Sequence, residues 1–359
     1  MSDVARLAGG VHPSTVSLAL RNDPSISEAT RRRVHAAAEK IGYRPDPLLD
    51  AFNTHRKGVL PQKSVPVIAF VSDVPNRETF DATPRLVCYW EGARAAADVL
   101  HCKLELFLLN RGQLTPERLN SVLSARGIVS IVVAGLTPET TRLAFDWKDY
   151  SAVKIASHHL SEPSYSVKTD LRDSARLAWN RLRGLGYERI SMVCAADPSM
   201  SCAELYRVGF HQAELVQKAR IPVLDLPEGS RPAVLARWIR QHKVDAVIGS
   251  GAAIEALLEE ASPAKERPAF ACLDVTGLPL RVAGVVPDYR RVGEEAIEQV
   301  VSLMRSNLRG LIDTPSCTYI PPSWRDGASA PAKVPDPRAD RGGFADAEPI
   351  RRQKERNSG

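Results

Sequence analysis

The sequence predicts a small all-α module ahead of a larger α/β body of two doubly wound lobes. Three observations carry this prediction. From residue 65 onward, apolar runs of strand length alternate with stretches of helical periodicity, the pattern of parallel βαβ units. Roughly 265 residues of that pattern are too many for one sheet and divide into two lobes. Before residue 44 such runs are missing, and three short helical segments stand by themselves.

Composition sets the outer bounds. Of 359 residues, 44% are hydrophobic and 25% charged, the balance of a globular protein whose core needs no disulfide or metal. No run approaches the ~20 apolar residues of a membrane span. Residues 1–20 lack a basic stretch followed by an apolar one, so no secretory signal is expected and a cytoplasmic location is. Cys88, Cys102, Cys194, Cys202, Cys272 and Cys317 are scattered without a Cys-x-x-Cys pair and are expected to be reduced core residues. Residues 1–64 carry 10 Lys and Arg against 6 Asp and Glu, whereas residues 65–329 are balanced at 31 each. A basic head on a neutral body points to an anion-binding module joined to a sensing or catalytic one.

The elements follow in order. Residues 1–43 form the helical module. Residues 44–64, with Pro45, Pro47, Gly58 and Pro61, read as hinge and linker. Strands are predicted at 65–72, 103–109, 128–134, 152–156, 189–194, 222–226, 244–249, 269–273 and 317–320. Helices are predicted at 86–100, 116–125, 138–147, 173–185, 203–219, 231–241, 252–261 and 288–308. Residues 65–329 thus form the two-lobed body, lobe 1 at about 65–160 and 288–313, lobe 2 at about 161–287 and 314–329. Beyond residue 329, Pro, Gly, Ala and charge dominate, and residues 330–359 are expected to be a disordered tail.

Within the module, Asp3 to Ala8 reads as a short amphipathic helix broken by Gly9-Gly10. A second helix covers 11–20, with Pro13 at a first-turn position. Its Val16 and Leu20 face inward, and Pro13, Ser14, Ser17 and Leu18 face outward. A third helix starts at Ser27, a good N-cap, and stops at Gly42. Two short helices across a glycine turn, braced by a third, outline a helix-turn-helix.

Asp3-Val4-Ala5-x-x-Ala8-Gly9, then Val11-x-x-x-Thr15-Val16-Ser17, resembles the helix-turn-helix signature of the lactose-repressor (LacI/GalR) family of transcriptional regulators. Ser27-x-x-Thr30-Arg31-x-x-Val34 and Ile41-Gly42-Tyr43-Arg44-Pro45 continue it in order. Downstream, the resemblance extends through Arg126–Val133, Leu185–Ile190, Arg207-Val208-Gly209-Phe210 and Trp324–Ser329. Gly9-Gly10 holds one residue more than the family's turn.

The resemblance implies a regulator that binds double-stranded operator DNA as a homodimer, probing the major groove with the second helix. It puts Pro13, Ser14 and Leu18 at base-reading positions, where Leu18 replaces a frequent Arg. Thr15, Ser17, Arg21 and Tyr43 become phosphate contacts or supports. Residues 44–53 resemble the family's hinge helix, with Phe52 as a minor-groove wedge and Leu49 one turn before it. Packing of Phe52 against the body is the competing reading.

For the body, the resemblance implies a periplasmic-binding-protein-like fold with three crossings and a small effector in the cleft. Arg207 and Asp274 match effector-contacting positions and suit a sugar or polyol. Arg85, Arg111, Asp170 and Tyr289 are further candidates. A structural salt bridge is the alternative for Arg207 and Asp274. Gly251 and Leu171 depart from the family's Asp and Asn and leave room for another ligand or none.

No cofactor motif, metal-ligand spacing or catalytic triad stands out, so neither enzyme activity nor a cofactor is expected. His158-His159 lack a third ligand. The rival readings are a soluble small-molecule-binding protein of the same fold without DNA binding, and an α/β enzyme.

Overall fold

The computed structural model describes residues 2–20, 26–41, 65–109, 114–137, 140–157, 160–195, 203–217, 223–227, 229–311 and 313–333. The described chain divides into two compact units that part at Val65 and Pro66.

The first unit holds α1 (Ser2–Leu7), α2 (Pro13–Leu20) and α3 (Glu28–Lys40). Val4, Ala5, Ala8, Val16, Ala19, Val34, Ala37 and Ala38 are buried together, with Val11, Leu20 and Ile26 packed on them. Small side chains let three short helices approach closely. Ser27 caps α3 by accepting the Thr30 N–H.

The doubled glycine closes α1. Gly9 (φ 92°) and Gly10 (φ 73°) both take the left-handed conformation. The Gly10 N–H donates to Ala5 O at 3.0 Å and the Gly9 N–H to Arg6 O at 3.3 Å, the paired bonds of a Schellman cap. The additional residue is absorbed in that cap, so α1 and α2 still share one core.

In the second unit, lobe 1 is built from β1 (Val67–Ser72), α4 (Arg77–Asp81), α5 (Pro84–Val99), β2 (Lys103–Leu108), α6 (Pro116–Ala125), β3 (Ser130–Ala134), β4 (Ser151–Ile155) and β5 (Tyr165–Thr169). Lobe 2 follows with α7 (Leu171–Gly184), β6 (Ile190–Ala195), α8 (Ala203–Gln217), β7 (Val223–Leu226), α9 (Pro232–His242), β8 (Ala246–Gly249), α10 (Ala252–Ala261), β9 (Ala269–Cys272) and β10 (Ala283–Val286). The chain then gives α11 (Tyr289–Arg305) and β11 (Cys317–Ile320) to lobe 1 and β12 (Ser323–Arg325) to lobe 2. Among the described residues the sheets run β11-β5-β4-β3-β1-β2 and β12-β10-β9-β8-β6-β7, parallel except for β12 against β10.

Both faces of each sheet are covered, which is why the inner strands β1, β8 and β9 read as apolar runs. In lobe 1, Ile68 and Phe70 face α5 and α11, while Ala69 and Val71 face α6. In lobe 2, Met192 and Ile248 pack under α7 and α8 with Trp179 and Phe210, and Val247 and Phe270 under α9 and α10. The α5–α11 pair packs backbone to backbone. A Cβ on Gly92 would lie 1.9 Å from Arg290 O, and one on Gly293 2.1 Å from Tyr89 O.

Several expectations need correction. The sequence reading puts residues 161–169 and 314–320 in lobe 2, but β5 and β11 complete the sheet of lobe 1. The crossings therefore fall near Asp170, Asp288 and Pro321. The helix expected at 138–147 is absent from residues 140–146, and only a 3-10 turn, Trp147–Asp149, follows. Leu143, Phe145 and Trp147 are buried while Ala144 and Asp146 are exposed, so the apolar period there is two. Strands β5, β10 and β12 were unforeseen because they are short or polar. Cys102, Cys194 and Cys272 are buried, but Cys88 is half-buried and Cys317 exposed; Cys202 lies outside the described residues. Residues 330–333, expected in the disordered tail, pack on lobe 2 instead: the Tyr187 hydroxyl donates to Pro331 O at 2.6 Å and the Lys333 N–H to Leu185 O at 2.9 Å; residues 334–359 lie outside the described residues.

Candidate functional site

Two places gather the predicted residues. The first is the amino end of α2. Proline opens the helix and needs no N–H partner there. Pro13 and Ser14 are exposed, and Thr15 and Leu18 are half-buried on the same helix. Ser17 lies on α2, with its side chain outside the description. Arg21, Tyr43, Leu49 and Phe52 lie outside the described residues, as does the hinge at 44–64. The residue before the helix, His12, was missed by sequence reasoning. Its Nδ1 accepts the Ser14 N–H at 3.3 Å and lies 2.7 Å from Ser14 Oγ. The signal was a side chain with an acceptor at an N-cap position, a role more often held by Ser, Thr, Asp or Asn.

The second place lies between the lobes of the second unit. In each sheet the strand order reverses, at β1/β3 and at β6/β8, and ligands bind α/β sheets beyond the carboxyl ends of strands at such points. At the end of β1, Asp73 accepts the Thr137 N–H at 2.8 Å and the Thr140 hydroxyl at 2.6 Å. It ties the ends of β1 and β3 together. Sequence reasoning passed over it, although an acidic residue directly after a buried strand was visible.

Asp274, just past β9, and Tyr289, at the start of α11, are brought together. The phenol donates to Asp274 Oδ2 at 2.5 Å, and Asp274 Oδ1 accepts the Thr276 N–H at 2.9 Å. Burial, then the Asp274 carboxylate, push the Tyr289 hydroxyl well above the usual phenol range. Tyr89 stacks edge-on at 5.2 Å, and Tyr206 acts on the same phenol from lobe 2. Neither Tyr89 nor Tyr206 was singled out in the sequence.

The other candidates sit apart. Arg207, on α8, pairs with Asp225 on β7 and stands 3.8 Å from Glu204. It is not paired with Asp274. Asp170 caps α7, accepting the N–H groups of Arg172 and Asp173 at 3.1 Å. Arg85 is exposed in the first turn of α5. Arg111 lies outside the described residues, as do His158 and His159. Gly251 precedes α10, and Leu171 opens α7 with its side chain against the lobe 2 core. A cavity of about 540 Å³ opens elsewhere in lobe 2, beside Asp245, Glu255, Arg281 and Lys333, and contains none of the predicted residues.

Among the described residues, no group of three or more His, Cys, Asp or Glu gathers to hold a metal, and no helix is long and apolar enough to cross a membrane.

Comparison with known proteins gives concordant findings. The family profile "Bacterial regulatory proteins, lacI family" matches residues 1–46. The chain is 28% identical to the HTH-type transcriptional regulator GalR of Escherichia coli K12 over 220 residues, 59% of this chain and 58% of that protein. It thus matches less than two thirds of that relative's length. It is 32% identical over 73 residues to the sucrose operon repressor of Vibrio alginolyticus, covering 20% of this chain and 77% of that sequence. The fold is that of the lac repressor dimer bound to operator and the anti-inducer ONPF. That match has a TM-score of 0.51 at 16% identity and covers 92% of this chain and 98% of the other. The chain belongs to the lacI family of bacterial regulatory proteins.

Proposed function

We propose that this protein is a sequence-specific DNA-binding transcriptional regulator, a repressor, acting on a pseudo-palindromic operator as a cytoplasmic homodimer. A small effector in the interlobe cleft, a sugar or polyol, controls it. The observation that carries this reading is the three-helix unit with the exposed first turn of α2. A helix end of that kind fits the major groove, and one such helix reads only a half-site, so two copies are needed. The solved relative that is a dimer on operator with a bound anti-inducer supports the same arrangement.

In this reading Pro13, Ser14 and Leu18 meet base edges. Thr15, Ser17, Arg21 and Tyr43 hold phosphates, and Leu49 and Phe52 of the 44–64 hinge enter the minor groove. Arg207 and Asp274 contact the effector, with Arg85, Arg111, Asp170 and Tyr289 around them. Effector binding changes the lobe angle, which shifts the two hinges of the dimer and alters operator affinity.

The test is selection of binding sites from random duplex DNA with full-length protein, followed by titration at two salt concentrations. A palindromic site is expected, with log K falling against log salt by about 0.9 per phosphate contacted. No enriched sequence, or a slope near zero, overturns the reading.

A further inference from the structure

The His12 imidazole places one nitrogen against both donors of Ser14. Nδ1 stands 3.3 Å from the Ser14 backbone nitrogen and 2.7 Å from its hydroxyl oxygen. A backbone N–H is only ever a donor. Its approach assigns Nδ1 as the acceptor of a neutral ring, the tautomer with the proton on Nε2. In that tautomer the hydroxyl, 2.7 Å from Nδ1, directs its proton at the ring. What Ser14 then presents outward is oxygen lone pairs. Both residues are exposed at the end of α2.

We propose that His12 is a specificity-determining residue that acts through Ser14. By holding the hydroxyl proton, it makes Ser14 a hydrogen-bond acceptor toward the major groove. The groove edges of adenine and cytosine offer amino donors, whereas guanine and thymine offer carbonyl acceptors. An acceptor hydroxyl therefore favours an amino base, A or C, on the contacted strand. A hydroxyl free to rotate favours neither. His12 is a positioning residue here, and the inference rests on the DNA-binding reading above, including Ser14 at a base edge.

The experiment measures relative affinity for all four bases at each position of the selected operator. The proteins are wild type, His12→Ala, His12→Asn, Ser14→Ala and the double variant His12→Ala/Ser14→Ala. The position at which Ser14→Ala loses its preference is the one Ser14 reads. There, wild type is expected to favour A or C by about tenfold, the scale of one hydrogen bond. His12→Ala should lose most of that preference at this position alone. His12→Asn supplies an acceptor and a good cap, so it should retain the preference and report a folded α2. In the Ser14→Ala background, His12→Ala should change nothing further at this position; a general loss of helix stability would instead weaken binding to all four bases alike and leave the wild-type preference in place. A preference for G or T in wild type overturns the assignment, as does one that His12→Ala leaves intact while operator binding persists. Failure of the wild-type protein to bind any site specifically overturns the DNA-binding reading, and this assignment with it.

Discussion

The Tyr289 hydroxyl donates a 2.5 Å hydrogen bond to Asp274 Oδ2, and this bond joins the helix α11 of lobe 1 to the loop after β9 of lobe 2. The two residues lie on different strand–helix units and meet at one of the three crossings. Each was a separate effector candidate in the sequence. Together they form a part-buried polar contact between a buried phenol and a half-buried carboxylate.

Tyr289→Phe is therefore expected to destabilise the second unit by about 1 kcal/mol at neutral pH, the net scale of one part-buried hydrogen bond. Urea unfolding of the full chain measures it. The folded-state phenol titrates above its unfolded value, so its contribution is fully present below about pH 10 and is lost as pH rises through the folded value. Wild type should lose stability on that alkaline limb, and Tyr289→Phe should show less loss there. Equal slopes in the two proteins contradict the assignment.

Glu105 offers the opposite sign. Hydrogen bonds from Arg126 and Lys103 hold its carboxyl at about 2. Its contribution is present above the ordinary glutamate range and disappears as pH falls through that range toward 2. Arg126→Ala should lower stability at pH 7 and converge with wild type near pH 2. A difference that stays constant across that span would assign the loss to packing instead.

The Gly9-Gly10 cap predicts a local effect. Gly10→Ala forces an L-residue into the left-handed region at φ 73°, which costs about 1–2 kcal/mol. Amide exchange in the full chain should accelerate at Val4, Ala5 and Ala8 while the body is unchanged. Protection equal to wild type would mean the turn adopts another geometry.

For the effector reading, Arg207→Ala and Asp274→Asn should each abolish release of operator by whichever sugar or polyol releases wild type. Asp225→Ala removes a partner that is itself 65% exposed, so it should change stability by less than about 1 kcal/mol. It should still shift the effector concentration needed, because it removes one of the two carboxylates that pair with the Arg207 guanidinium. Unaltered responses in all three variants, measured by operator release across a panel of sugars, would remove Arg207 and Asp274 from the site.

Much of the fold was legible because local chemistry agreed with the global pattern. Helices 116–125 and 252–261 and the strand 317–320 appear with the bounds that periodicity and turn residues implied. Ser27 caps α3 as its position before the helix suggested. The strand reading failed where signals were weak. Tyr165–Thr169 alternates polar residues, and Ala283–Val286 is only four residues long. The helix reading failed at 140–146 because apolar residues there alternate with period two.

The sequence by itself determined the helical module, the α/β body, the family signature and the residue types at the amino end of α2. These depend on local spacing, which sequence carries directly. Only the tertiary structure decided which lobe receives β5 and β11, since lobe membership is set by strand pairing: β5 pairs with its chain neighbour β4, and β11 joins β5 from far along the chain. It also joined Tyr289 to Asp274, turned Arg207 toward Asp225, and aimed His12 at Ser14. Those partnerships follow from side-chain direction and from which groups remain unpaired once the backbone is packed, and neither can be read from residue order.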